Sequence, residues 1–261
     1  RSIDLGNRAL SDVFEPGSTA KIMTAAAVID HGAATPTTQF VIPPTLKRAE
    51  KVFHDHDPHG TLRLTLTGIM AKSSNLGTIL ASERIGSRTM YEYLRKFGMG
   101  SKTGLDFPGE STGKLPLYKN WSDTTFPTVA FGQGMNVNAV QVASVYATIA
   151  NDGVRVQPQL VESVTAPDGT VTVPEAMKPV TVVSPKAAKT VRAMLETVVS
   201  DRGTAPKAQI PGYRVAGKTG TAQVAESWCG CYGKDVIASF IGMAPADDPQ
   251  LVVAVSVVRP Q

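Results

Sequence analysis

The chain is 261 residues long, 42% hydrophobic and 18% charged, enough for one large domain or two small ones with a sizeable core. No run approaches the roughly 18 consecutive apolar residues that span a bilayer. The net charge of +4 comes from scattered Lys and Arg without interleaved aromatics, which argues against nucleic acid as a partner and leaves a mild positive field suited to an anionic polymer or lipid surface.

The first residue is Arg1, with neither an initiator Met nor a basic or apolar leader region, so the sequence reads as a piece trimmed from something longer. Glu15-Pro16-Gly17 is a turn signal, and Ser18 opens an Ala-rich helix predicted to run to about His31, with Gly32 at its C-terminal end. Residues 35–63 are rich in Pro and Thr and lack helical periodicity, which predicts a loop with short strands. Leu64–Ala71 and Leu76–Ile85 are predicted as short helices separated by Lys72-Ser73-Ser74-Asn75, and Thr89–Phe97 as another helix stopped by Gly98. The Gly- and Pro-containing stretch 100–128 reads as a long surface excursion. Asn138–Asn151 follows as a helix.

The second half changes character. Pro167-Asp168-Gly169 is a β-turn signal between the strand candidates Leu160–Thr165 and Thr170–Val173. Ser184–Val199 is a helix, with Ser184 at the cap and Pro185 at the first helical position. Three strand candidates come next: Tyr213–Gln223, Val236–Ala244 and Leu251–Val258. The last is almost continuously apolar, which predicts burial on both faces. Helices followed by hairpin-linked strands predict an antiparallel sheet packed by helices, in the α/β or α+β class.

Three short motifs carry chemistry. In Ser18-Thr19-Ala20-Lys21, three residues of helix rise about 4.5 Å and turn about 300°, so an unprotonated Lys21 amine shares a face with the Ser18 hydroxyl and can take its proton. A lysine is neutral near pH 7 only if desolvated or placed beside another positive charge. Ser18 also stands at a helix start, where free N–H groups favour developing negative charge. Alone the motif is weak, for Ser111-Thr112-Gly113-Lys114 matches it too; that copy lies in a Gly/Pro-rich loop where the helical proximity is lost.

Ser73-Ser74-Asn75 offers a hydroxyl at Ser73 that can relay a proton between lysines and an Asn75 amide that can bind a substrate peptide group, although taken alone it reads more readily as a helix cap. Lys218-Thr219-Gly220-Thr221 lies in a strand candidate, where Gly217 and Gly220 let a peptide-like substrate approach the backbone and Lys218 with the threonine hydroxyls can meet a carboxylate. Its double, Lys102-Thr103-Gly104, reads as a surface turn. Helix, inter-helix turn and strand, in that order, are the contexts of a serine acyltransferase site.

The segments Glu15–Lys21, Lys72–Gly77 and Ala216–Gln223 resemble the three active-site motifs of class B penicillin-binding proteins, and Gly104–Glu110 and Phe131-Gly132-Gln133-Gly134 resemble that family's connecting segments. The likeness runs from about Asn7 to Val258, and Trp228-Cys-Gly-Cys-Tyr232 looks like actinobacterial members that act at the division septum. The resemblance implies a penicillin-binding/serine β-lactamase-like transpeptidase fold, an antiparallel sheet flanked by helices plus an all-helical subdomain, with residues 1–261 forming one transpeptidase domain cut at both ends. It implies a DD-transpeptidase that needs no cofactor, crosslinks peptidoglycan stem peptides on lipid II-derived strands and is acylated by β-lactams. Carried over by position, Ser18 is the nucleophile, Lys21 the base and Ser73 the relay. Asn75 holds the substrate amide, Lys218, Thr219 and Thr221 meet the terminal carboxylate, and Gly220 is a substrate-binding position on the same strand. The backbone N–H groups of Ser18 and Thr221 form the oxyanion hole. The implied location is the extracytoplasmic face of the plasma membrane, with an N-terminal anchor helix and a pedestal domain not present in this sequence, and with divisome membrane proteins such as a SEDS glycosyltransferase as partners. Family domains also begin with one or two strands before Asn7 and end with a helix after Val258.

Other features compete less well. His54-Asp55-His56-Asp57-Pro58-His59 has the density of metal ligands, but Pro58 and Gly60 predict an irregular loop and the chemistry needs no metal. Cys229 and Cys231 are either two free thiols or a tight bridge of an oxidising compartment. Glu15 reads as a turn or helix-dipole residue, and Trp121, Phe126 and Phe131 as core or cleft aromatics. A DD-carboxypeptidase or a β-lactamase of the same fold, and a non-catalytic β-lactam sensor or binding module, are the rival readings; no Glu-x-x-Leu-Asn run supports the β-lactamase.

Overall fold

The computed structural model describes residues 6–225 and 232–260. Helix α1 (Arg8–Ser11) is capped by Asn7, whose side chain accepts from Ala9 N–H at 3.0 Å. A 3₁₀ turn, Gly17–Ala20, runs into α2 (Lys21–Asp30). Residues Lys21 through Val28 are all buried, since small alanines let neighbouring elements close in from every side. Strands β1 (Gln39–Ile42), β2 (Leu46–Arg48), β3 (Lys51–Phe53) and β4 (Leu62–Thr65) form two small antiparallel pairs, β1 with β4 and β2 with β3.

Helices α3 (Leu66–Lys72) and α4 (Asn75–Ser82) follow, then α5 (Gly86–Lys96), α6 (Thr125–Ala130) and α7 (Ala139–Ala150). The predicted helix at Leu64 thus begins two residues later, because Leu64 and Thr65 pair with β1 and Thr65 caps α3 instead. Asn138 and Gln141 close a reciprocal capping box at the start of α7. Short pairs β5 (Val154–Arg155) with β8 (Val180–Thr181), and β6 (Val164–Thr165) with β7 (Val171–Thr172), fill the next stretch; the second is the hairpin predicted around Asp168. Helix α8 (Pro185–Val199) starts as predicted, with Ser184 accepting from Ala187 N–H at 3.2 Å.

Strands β9 (Ala216–Ala225), β10 (Tyr232–Ala244) and β11 (Leu251–Val258) form one antiparallel sheet in the order β11-β10-β9. Helix α8 packs on β9 and α7 on β10 and β11, while α2 lies between α8 and the helical side made by α4, α5 and α6. One continuous core joins the two sides, from Ile22, Leu76 and Leu94 through Tyr146 to Leu195 and Met243. Each fully buried aliphatic side chain contributes about 2 kcal/mol. Arg192, buried on α8, donates through Nη1 to Ile149 O at 2.9 Å, Ala150 O at 3.2 Å and Asp152 Oδ1 at 2.8 Å, covering the carbonyl end of α7.

Two expectations are corrected. In this chain strand β11 is exposed rather than buried on both faces: among the described residues it pairs with β10, and Leu251 and Val253 are 68% and 56% exposed. The stretch 100–128 is not wholly a surface excursion either. It ends in the first residues of α6, and it buries Thr103 and Glu110 against each other.

Candidate active site

The nucleophile candidate sits on the 3₁₀ turn rather than on α2 itself. At about three residues per turn, side chains at i and i+3 eclipse, so Ser18 and Lys21 still share a face. Two glycine contacts fix the turn. Gly17, at φ +52°, donates to Gly132 O at 2.9 Å, and a Cβ on Gly132 would lie 2.0 Å from Gly17 O. Glu15 accepts from Gly134 N–H at 2.8 Å, which ties the Phe131–Gly134 segment to the same turn. On the far side β9 crosses close by: a Cβ on Gly220 would meet Thr19 Cγ2 at 2.8 Å and Pro16 O at 3.2 Å. The requirement for glycine in the third motif is therefore steric, and the contact brings the Ser18 and Thr221 backbones together.

Beneath Ser18 lie two lysines, both fully buried. Lys21 Nζ donates to Ser73 O at 2.5 Å, Asn75 Oδ1 at 2.8 Å and Ser73 Oγ at 3.3 Å. Lys218 Nζ donates to Ser73 Oγ at 2.8 Å and Thr219 O at 3.1 Å. Ser73 ends α3 in the left-handed region at φ +56°, which turns both its carbonyl and its hydroxyl toward the lysines. Burial and the neighbouring Lys218 charge push Lys21 well below the ordinary lysine range, against a raising effect of Asp55. Burial lowers Lys218 to about 7.

The direct Lys21–Ser18 hydrogen bond expected from the spacing is not formed among the described residues. The three protons of an ammonium are spent on Ser73 and Asn75; loss of one leaves a lone pair free to accept from Ser18 Oγ. Asn75 is held from a second side, since its Nδ2 donates to His54 O at 3.2 Å.

A cleft of about 390 Å³ opens over these groups, lined by Ser18, Ser73, Asn75, Thr219, Gly220 and Thr221 together with Phe131. The three motifs thus converge. Thr204, which carries no motif, also lines the cleft and bonds Thr219 Oγ1 through its own hydroxyl at 2.7 Å. Asp55 was missed too: it accepts from Ser74 Oγ at 2.6 Å and Leu76 N–H at 2.9 Å. Neither was legible, because each is defined by a partner at least 15 positions away.

The duplicated motifs stand apart. Ser111 accepts from Gly113 N–H in an extended loop, and Lys114 bridges to Asn136. Thr103 is not in a surface turn: it is buried, and its N–H and hydroxyl both donate to Glu110 Oε1. Trp121 stacks on Phe126 away from the cleft. No group of three or more metal-ligating side chains occurs among the described residues, and Cys229 and Cys231 lie outside them.

A serine on a glycine-pinned turn, over two buried lysines that share one hydroxyl, defines the class of a lysine-assisted serine acyltransferase site. Residues 2–261 match the family model described as penicillin binding protein transpeptidase domain, and the chain belongs to that family. Penicillin-binding protein PbpB of Mycolicibacterium smegmatis is 44% identical over 264 residues, covering 98% of this chain and 41% of the relative. The crystal structure of penicillin binding protein 3 from Mycobacterium tuberculosis complexed with aztreonam superposes with a TM-score of 0.95 at 42% identity, covering 98% of this chain and 59% of that one. The structure of the same protein complexed with ampicillin gives the same TM-score and identity, covering 98% and 58%. The chain spans about two fifths of the length of the curated relatives it matches.

Proposed function

We propose that this chain is the transpeptidase domain of a class B penicillin-binding protein, formed by residues 1–261, and that it crosslinks peptidoglycan through a Ser18 acyl-enzyme. The observation that carries this reading is the Ser73 hydroxyl held by Lys218 at 2.8 Å and Lys21 at 3.3 Å in the cleft that also holds Ser18. Neutral Lys21 takes the Ser18 proton as Oγ bonds to the carbonyl carbon of the penultimate D-Ala. Ser73 passes that proton to the departing nitrogen as the C–N bond breaks and the terminal D-Ala leaves. An amine from a second stem peptide then attacks the ester and returns Ser18 to its hydroxyl form. Asn75 meets the substrate amide with the hydrogen-bonding capacity that Lys21 and His54 leave free.

Lys218, Thr219 and Thr221, on the glycine-lined strand, receive the carboxylate, and the Ser18 and Thr221 N–H groups stabilise the oxyanion. Complexes of a close structural relative with aztreonam and ampicillin support acylation by β-lactams. Since the polymer lies outside the plasma membrane, the domain works at the extracytoplasmic face, carried in the full-length protein by an N-terminal anchor and pedestal, beside divisome membrane proteins such as a SEDS glycosyltransferase. No helix among the described residues is long and apolar enough to cross a membrane.

The test is a crosslinking assay with lipid II-derived chains, run beside labelling by a fluorescent penicillin. Crosslinked product, with labelling that persists for many minutes and is absent in Ser18→Ala, is expected. Fast turnover of a chromogenic cephalosporin contradicts the reading in favour of a β-lactamase, and release of D-Ala without crosslinks makes the domain a carboxypeptidase.

A further inference from the structure

The loop 54–60, predicted only as an irregular segment, packs against the turn that carries the second motif. Asp55 is nearly buried there. One of its oxygens accepts from Leu76 N–H at 2.9 Å, and the other from Ser74 Oγ at 2.6 Å and from His59 Nε2 at 3.0 Å. The other ring nitrogen of His59, Nδ1, lies 2.5 Å from Gly60 O. A carboxylate and a carbonyl can only accept, so these contacts favour the doubly protonated ring, and the Gly60 carbonyl and Asp55 push the His59 pKa up. Asn75 Nδ2 adds a bond to His54 O from the same loop.

We propose that Asp55, held by His59, is a positioning residue for acylation of Ser18, fixing the turn that presents Ser73 and Asn75 to Lys21. The inference rests on Lys21 serving as the base. Ser74 and Leu76 flank Asn75 in sequence, so two of the three bonds to Asp55, one from the Ser74 hydroxyl and one from the Leu76 backbone, hold the turn on either side of the residue that accepts from Lys21. Ser73, which precedes Ser74, is held in a left-handed conformation that few side chains adopt without such support. The carboxylate also acts through space. The charges facing Lys21 are Lys218 from β9, which disfavours a second ammonium, and Asp55 from the loop, which favours it. Lys72, His56 and Asp57 line the mouth of the cleft above them.

Asp55 therefore does two separable things, and a substitution can keep one while removing the other. Asp55→Asn keeps an acceptor for Leu76 N–H but removes the charge. Without that charge Lys21 sheds its proton more easily, so its free amine persists to lower pH. The second-order rate of acylation by a fluorescent penicillin, followed across pH, reads both effects. For Asp55→Asn the plateau is expected to fall about tenfold, since small displacements of catalytic groups cost one to two powers of ten. The acidic limb is expected to move to lower pH by about half a unit. A wild-type plateau, or a lower plateau with the limb unmoved, overturns the proposal.

Ser74→Ala is the second variant, for the case in which Asp55→Asn does not fold. It removes one donor to Asp55, and with it the α4 cap that accepts from Gly77 N–H at 2.9 Å, but leaves the charge, so a slower plateau with an unmoved limb is expected, and a wild-type rate overturns the proposal. The thermal midpoint of each variant is measured alongside. Absence of labelling in the wild-type protein strikes at the Ser18 reading itself; normal wild-type labelling beside an unaltered Asp55→Asn strikes only at the role given to Asp55.

Discussion

Ser73 Oγ accepts hydrogen bonds from Lys218 Nζ at 2.8 Å and from Lys21 Nζ at 3.3 Å, so a single hydroxyl joins two buried lysines from opposite ends of the chain. With both lone pairs occupied, its own O–H is the proton left to give. That is the geometry of a relay. Ser73→Ala breaks the chain between the lysines and should slow acylation by about 10²–10⁴, the usual weight of a general acid–base group, beside a loss of about 1–3 kcal/mol in stability from the buried amines left short of a partner. A rate within about threefold of wild type removes Ser73 from the mechanism.

The buried lysines also make stability depend on pH. Lys218 is lowered to about 7 by burial, whereas in the unfolded chain it titrates near about 10.4. Between those values the unfolded state binds a proton that the folded state does not, so stability rises with pH. Relative to Lys218→Met, the wild-type protein should gain about 1 kcal/mol per pH unit from about pH 7 to about pH 9. Denaturant melts of the two proteins at several pH values measure this. Parallel curves contradict it.

The nucleophile turn depends on a glycine outside the three motifs. Gly132 has φ +94°, and a Cβ there would lie 2.0 Å from Gly17 O, a backbone atom that cannot swing away. Gly132→Ala should cost about 1–3 kcal/mol and slow penicillin acylation, because relief of the clash moves Gly17 and with it Ser18. Unchanged labelling kinetics would show that the turn tolerates the shift.

Thr204 orients Thr219. The 2.7 Å bond between their hydroxyls fixes the rotamer of a side chain expected to meet the substrate carboxylate. Thr204→Val removes that bond at nearly constant volume, and kcat/KM for carboxylate-bearing penicillins should fall about fivefold, equivalent to about 1 kcal/mol. An uncharged analogue lacking the carboxylate should show little difference between the two proteins.

Much of the site was legible because its parts are local. Ser18 and Lys21 are three residues apart, Ser73 and Asn75 two, and Lys218 to Thr221 lie consecutively on one strand; order and context separated the first and third from their duplicates. The helix cap at Ser184 was legible for the same reason. What failed was non-local. Asp55 looked like part of a histidine-rich loop until the fold set it against Ser74 and Leu76. Thr103 looked exposed until Glu110 folded back on it. The apolar run of β11 predicts burial on both faces, whereas among the described residues it pairs with β10 and its valines stay half exposed; a strand's own residues do not say which elements cover it.

The central claim is that Ser18 forms the acyl-enzyme, and that position rather than the Ser-x-x-Lys spacing decides it. Peptide mapping by mass spectrometry after reaction with penicillin tests this directly, because Ser111 carries the same spacing in a loop. The adduct should fall on the peptide containing Ser18, vanish in Ser18→Ala and persist in Ser111→Ala. An adduct on the Ser111 peptide, or none on folded protein, would contradict the account.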